Sequence, residues 1–181
     1  VTTVCAVARN GAVVMGADSM TNVYDRPVDG VVKVRRYMLD GLSECLMGFA
    51  GDGALPELVA AKLTIPAPPT DGPLQPWATE ISVAITRIAL DHQVIDEEGR
   101  MPGRVLLGYA GKLWTISHQQ ATPHLDGIAA IGSGEGPAIG AIDYGLARGD
   151  DNLTSLVTRA VLIGIERDRF SGGSVTVESL S

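Results

Sequence analysis

Apolar positions cluster in short runs broken by turn residues. Val4–Ala8 and Ala12–Met15 flank Arg9-Asn10-Gly11, and Asn-Gly tolerates the positive φ that a tight hairpin turn needs. A second hairpin is predicted around Asp40-Gly41, joining Val32–Met38 to Leu42–Gly48. These runs are continuously apolar, so their strands are expected to be covered on both faces. A third joins Arg104–Tyr109 to Lys112–Ser117 across Ala110-Gly111. Ile128–Gly132 reads as a short strand and Ser174–Glu178 as a final one.

Between these lie patterns of helical period. Gly51–Leu63 carries Leu55, Leu58, Val59 and Leu63 at helical spacing, with Pro56 tolerable only in its first turn. Ile65–Pro76 holds five prolines and a Thr70-Asp71-Gly72 turn, and reads as a connector. Trp77, Ile81, Ala84, Ile85, Ile88 and His92 would form one face of a long helix. Pro137–Ala147 is a further helix. Leu153, Leu156, Val157, Ala160, Val161, Gly164 and Ile165 define the last, with Asp151 or Asn152 as its cap. Strands, two helices, strands, two helices and a strand predict helices packed on a largely antiparallel pair of sheets. Residues 1–181 are expected to form one domain.

Composition narrows the function. With 45% hydrophobic residues and 22 glycines the chain is globular. A net charge of −7 and a pI near 4.8 argue against nucleic acid or an anionic membrane as partner. No apolar run approaches the ~20 residues of a membrane span. No basic segment precedes an apolar stretch at the start, so the expected location is the cytoplasm, or the chain is a mature form. Cys5 and Cys45 lie in apolar runs without CxxC spacing and read as core residues. His92, His118 and His124 lack zinc-site spacing, and no P-loop or dinucleotide fingerprint occurs. No metal or cofactor is expected.

The chemistry-bearing segments are Thr2-Thr3-Val4, Gly16-Ala17-Asp18-Ser19, Lys33 within Val31–Val34, and Gly48-Phe49-Ala50-Gly51. Further on come Gly132-Ser133-Gly134 and Asp168 with Ser171-Gly172-Gly173. A threonine at a chain terminus carries a hydroxyl and a primary amine, hence a nucleophile and its base on one residue. An α-amino group with a reference pKa of about 7.7–8.0 is a natural proton acceptor near neutral pH. Each residue also has a plain alternative: a frayed terminal threonine, a surface lysine, a turn aspartate, a loop serine.

In order and approximate spacing these segments resemble the proteasome β-subunit family of N-terminal nucleophile hydrolases, which includes the bacterial HslV-type peptidases. The resemblance spans nearly the whole chain. It implies a four-layer αββα sandwich of the α+β class and a threonine-type endopeptidase. Thr2 would be the nucleophile, Lys33 the cation beside it and Asp18 the counter-ion of Lys33. Gly51 would supply an oxyanion N–H, while Ser133, Asp168 and Ser171 would orient the threonine amine. Val31, Phe49 and Gly53 would border the pocket for the residue before the cleaved bond, suggesting an apolar preference. The segment Lys33-Val34-Arg35-Arg36 is similar to HslV, whereas Arg167-Asp168 to Ser171-Gly172-Gly173 is similar to proteasomal β-subunits, and the branch stays open.

Val1 stands against immediate activity, because while it is attached the nitrogen of Thr2 is an amide. Thr3 is a poor substitute, since a one-residue shift places it on the opposite strand face. By the resemblance the expected partners are unfolded polypeptide or peptide substrate, copies of the same chain in a homo-oligomeric ring, and a separate ATP-dependent unfoldase. The alternatives are a non-catalytic structural or assembly subunit of the same fold, or a small-molecule amide hydrolase.

Overall fold

The computed structural model describes every residue except Val1, Tyr24, Asp25, Asp40 and Leu42. Strands β1 (Val4–Arg9) and β2 (Ala12–Asp18) form the first hairpin, with φ of 52° at Asn10 and 83° at Gly11. β3 (Thr21–Val23) and β4 (Arg26–Val28) make a small ribbon that hydrophobic patterning does not announce. β5 (Val34–Met38) pairs with β6 (Glu44–Gly51) from Val34↔Gly48 to Met38↔Glu44. The expected turn residue Asp40 and strand start Leu42 lie outside the described residues. β6 is buried from Cys45 to Ala50, as its apolar run predicts. β5 differs, because it lies at the sheet edge and sends Arg36 and Met38 outward.

Helix α1 (Ala54–Lys62) starts later than expected because Gly51 still belongs to β6. α2 (Gln75–Asp91) has a proline in its first turn, and the Trp77 indole donates to the Pro66 carbonyl at 2.7 Å, pinning the proline-rich connector. Its buried face runs through Trp77, Ala78, Ile81, Ser82, Ile85, Thr86 and Ala89. That corrects the expected face: Ala84 and Ile88 flank it, and His92 is an exposed cap. The rotation follows from Ser82, which turns inward to donate to the His118 carbonyl at 2.9 Å.

β7 (Gly103–Tyr109), β8 (Lys112–Ser117) and β9 (Gln120–Pro123) complete a sheet ordered β5-β6-β7-β8-β9. β10 (Ile128–Ile131) follows, then α3 (Glu135–Ala147), α4 (Leu153–Arg167) and β11 (Val175–Leu180), giving a second sheet ordered β10-β1-β2-β11. Asn152 is the α4 cap, its side chain accepting from the Ser155 N–H at 2.9 Å.

Three apolar layers hold four structural ones together. Val4, Met15, Leu46, Leu106 and Ile131 fill the space between the sheets. Trp77, Ile81, Ile85 and Leu107 seal α1 and α2 onto one sheet. Val7, Ile142, Val157 and Val161 seal α3 and α4 onto the other. The result is an α+β, αββα sandwich with two antiparallel sheets. Cys5 and Cys45 are free and buried, and burial pushes both thiols up to about 12, which leaves them inert.

Strand direction gathers the chemistry at one end. β1 begins where β2 ends, because the two are antiparallel, and β10 ends and β11 begins beside them. The start of β5 and the end of β6 lie at the neighbouring edge of the other sheet.

Candidate active site

Thr2 enters β1 at this end and is 3% exposed. Its carbonyl accepts from the Gly134 N–H at 3.2 Å, and its nitrogen is 3.2 Å from Ser133 Oγ. Its hydroxyl Oγ1 accepts from Lys33 Nζ at 2.9 Å. Lys33 donates equally closely, 2.9 Å, to Asp18 Oδ1. Lys33 is 6% exposed and Asp18 1%, so the pair is a buried one. Asp18 also accepts from the backbone N–H groups of Thr3 at 2.8 Å and Gly172 at 3.0 Å. The Thr3 donor shares Oδ1 with Lys33 and the Gly172 donor satisfies Oδ2, so both carboxylate oxygens are paired, which is the condition for a buried pair to persist.

Burial holds Lys33 below the ordinary lysine value of 10.5, with Asp18 and, more distantly, Asp168 opposing that shift. A positive charge in this position favours an ionised neighbour and lowers the proton affinity of any amine beside it. Its donation to Oγ1 leaves the Thr2 hydroxyl hydrogen free to be taken elsewhere.

The other side of Thr2 is a chain of hydroxyls and one carboxylate. Ser133 Oγ donates to Asp168 Oδ2 at 2.5 Å, and Ser171 Oγ donates to the same oxygen at 2.6 Å. Ser171 Oγ is in turn 2.8 Å from Thr3 Oγ1. Partial burial pushes the Asp168 carboxyl up, but hydrogen bonds from Ser133, Ser171 and the Phe170 N–H outweigh it and hold the group below 3.8. The network closes on itself, from Asp18 through Lys33, Thr2, Ser133, Asp168, Ser171 and Thr3 back to Asp18.

A cleft of about 350 Å³ opens on Thr2 and Lys33, lined also by Val31, Phe49, Gly51 and Gly53. Gly51 has φ of 133°, and a Cβ there would stand 2.7 Å from Gly103 Cα, so packing between β6 and β7 already demands glycine. All ten residues singled out from the sequence therefore meet at one place.

Thr21, Asn22, Asp52 and Pro56 also line the cleft, and sequence reading misses them. They come from the β3 ribbon and the α1 start, and no residue-type pattern marks them. Thr3 and Gly134 are missed as network members. A Cβ at Gly134 would collide with Thr3 Oγ1, so this glycine is what lets the Ser133 loop lie against the strand. The signal was Gly-Ser-Gly itself, ambiguous until its neighbour is known.

No protein-family profile matches the chain. It is 26% identical over 182 residues to the ATP-dependent protease subunit HslV of Pseudothermotoga lettingae, covering 99% of this chain and 97% of that one. Among solved structures it is similar to eukaryotic HslV from Trypanosoma brucei, with a TM-score of 0.68, 23% identity and 98% of each chain covered. It is also similar to Thiobacillus denitrificans BPH in complex with epoxomicin, with a TM-score of 0.79, 17% identity, and 99% and 98% of the two chains covered. The sequence match runs along the whole length and the fold is shared, so the chain is similar to HslV-type, proteasome-like proteins.

Proposed function

We propose that the chain is the proteolytic subunit of a proteasome-like threonine peptidase, residues 1–181 acting as one hydrolase domain with Thr2 as the N-terminal nucleophile. The observation that carries this reading is the Lys33 ammonium, 2.9 Å from both Thr2 Oγ1 and Asp18 Oδ1 at the mouth of a cleft. A surface lysine has no reason to be buried against a threonine hydroxyl. A lysine serving a nucleophile has.

The Val1–Thr2 bond must first be cleaved, which turns the Thr2 amide nitrogen into a primary amine. That amine then accepts the Oγ1 proton as Oγ1 attacks the carbonyl carbon of a peptide bond. The developing oxyanion is met by the Gly51 N–H, and removal of one such donor costs about 2.7–4 kcal/mol of transition-state stabilisation in other hydrolases. Collapse breaks the C–N bond, the amine returns the proton to the leaving nitrogen, and an ester remains on Thr2. Water, deprotonated by the same amine, then attacks the ester carbon, releasing a carboxylic acid and restoring the hydroxyl. Ser133, Asp168 and Ser171 fix the amine through the hydroxyl chain. Val31, Phe49 and Gly53 receive the side chain before the cleaved bond, with an apolar preference.

Assembly into a homo-oligomeric ring whose chamber receives unfolded polypeptide, fed by a separate ATP-dependent unfoldase, belongs to the same proposal. The match to a subunit named for ATP-dependent proteolysis supports it.

The test is intact-protein mass after incubation with a peptide epoxyketone, whose ring adduct requires a free threonine amine and its hydroxyl together. We expect one adduct per chain on protein beginning at Thr2 and none on Thr2→Ala. Absence of an adduct on protein that begins at Thr2 would overturn the proposal in favour of a non-catalytic subunit.

A further inference from the structure

Asp29 lies outside the cleft, yet three segments of the site are tied through it. Its Oδ1 accepts from the Ser19 hydroxyl and, at 2.7 Å, from the Gly30 N–H. Ser19 follows Asp18 directly, and its Oγ accepts from the Ser174 N–H at 2.7 Å while lying 3.0 Å from Ser174 Oγ. The Ser19 backbone continues the clasp, its carbonyl accepting from the Val31 N–H at 3.0 Å and its N–H donating to the Gly172 carbonyl at 3.3 Å. Gly173 packs so closely on Asp29 and Ser19 that no Cβ fits there.

The consequence falls on Lys33. Segment 29–33 is held at Asp29 and Val31 by Ser19, and at the Lys33 carbonyl by the Phe49 N–H at 2.9 Å. Segment 171–174 is held by the same serine, and it supplies the Gly172 N–H to Asp18 and the Ser171 hydroxyl to Asp168. One carboxylate–hydroxyl clasp thus sets the distance between the loop that carries the cation and the loop that braces its counter-ion.

We infer that Asp29 is a positioning residue, holding through Ser19 the loop that presents Lys33 to the Thr2 hydroxyl. The Ser19 and Gly30 donors, which outweigh the slight burial, hold the Asp29 carboxyl below its ordinary value, so it is an anion in its working state. Asp29 touches no substrate. Its role rests on the threonine-nucleophile reading above, but its effect on Lys33 does not.

The experiment compares full-chain Asp29→Ala, Asp29→Asn and Ser19→Ala by two readouts. One is the rate of adduct formation with a peptide epoxyketone on protein beginning at Thr2. The other is the Lys33 titration midpoint, followed by NMR of the Cε methylene, with Asp18 and Asp168 as the charges that face it. For Asp29→Ala we expect labelling slowed roughly tenfold to a hundredfold at unchanged final stoichiometry, the scale of a small misplacement in a reacting pair. Burial is the main cause lowering the Lys33 value, so a loosened loop should move its midpoint up towards 10.5. Asp29→Asn keeps an acceptor oxygen and should recover most of both. Labelling and titration as in the wild type would overturn the inference. A wild type that is never labelled would sink the peptidase reading instead, and the Lys33 midpoint would still decide the clasp. Should Asp29→Ala fail to fold, Ser19→Ala breaks the same bond from its other end, and the same two readouts decide the matter.

Discussion

At the scale of single residues, the site is built by compensation. Lys33 is unfavourable in its buried position taken alone, and Asp18, Thr2 and the two backbone donors to Asp18 make it tolerable. Two of the shifted groups, Lys33 and Asp168, act on the pH profile of stability with opposite titrations and one sign. Asp168 has its folded value below 3.8, so its contribution is present above that value and is lost as pH falls through the folded value. Lys33 has its folded value below 10.5, so between that folded value and 10.5 the unfolded chain holds the extra proton. Unfolding there takes up a proton, and stability rises with pH across the window. We therefore expect Asp168→Asn to flatten the acid limb of a urea-midpoint profile below 3.8 while leaving the alkaline rise in place. An unchanged acid limb would mean that Asp168 is not held by Ser133 and Ser171 in solution. The residue types were legible in the sequence: Thr2, Asp18, Lys33, Ser133 and Ser171 are polar groups in apolar or glycine-rich settings, and Asp168 stands in the charged run Glu166–Arg169. The closure of the ring through Thr3 was not, because a threonine in a strand carries no sign of whom its hydroxyl meets.

At the scale of elements, caps and turns decide where each functional group ends up. α4 is flanked by Asn152 as its N-cap and Asp168 as its C-cap, so the helix acts as a spacer between its own cap and the site. Asn152→Ala should lower stability by about 1 kcal/mol, the usual worth of a side-chain cap. The check is a shift of the urea midpoint at constant slope. Since α4 is sealed by Leu156, Val157, Ala160 and Val161, adduct formation at Thr2 should stay near the wild-type rate. The existence and order of the long helices and the Asn10-Gly11 and Ala110-Gly111 hairpins follow directly from period and turn chemistry. The face of α2 did not, since a buried Ser82 takes a place that periodicity assigns to an apolar residue. β3, β4 and β9 escaped as well, being three or four residues long with no apolar alternation to betray them.

At the scale of the whole molecule, the site straddles two sheets. Thr2, Asp18 and Ser133 are carried by β1, β2 and the end of β10, whereas Lys33 leads into β5 of the other sheet. Their relative position therefore depends on the core between the sheets. Leu106→Ala in that core and Ile81→Ala under α2 should each cost about 2–5 kcal/mol, measured by urea unfolding. Only Leu106→Ala should also slow epoxyketone labelling, because only that cavity lets the Lys33 sheet shift against the Thr2 sheet. Equal labelling by both variants would show that the site is set locally and not by inter-sheet packing.

By itself the sequence determined the order of elements, the apolar faces that make sheets and helices stack, and the roster of reactive residue types. Local period and turn chemistry act over a few residues, so one sequence carries them openly. Only the tertiary structure decided which polar groups touch, that Gly134 must be small for Thr3, and that Asp29 and Ser19 tie the Lys33 loop to the Ser171 loop. Those contacts join residues up to 168 positions apart, Thr3 with Ser171 among them. Such pairings exist only once antiparallel strands have brought their ends together, which no short stretch of chain can encode.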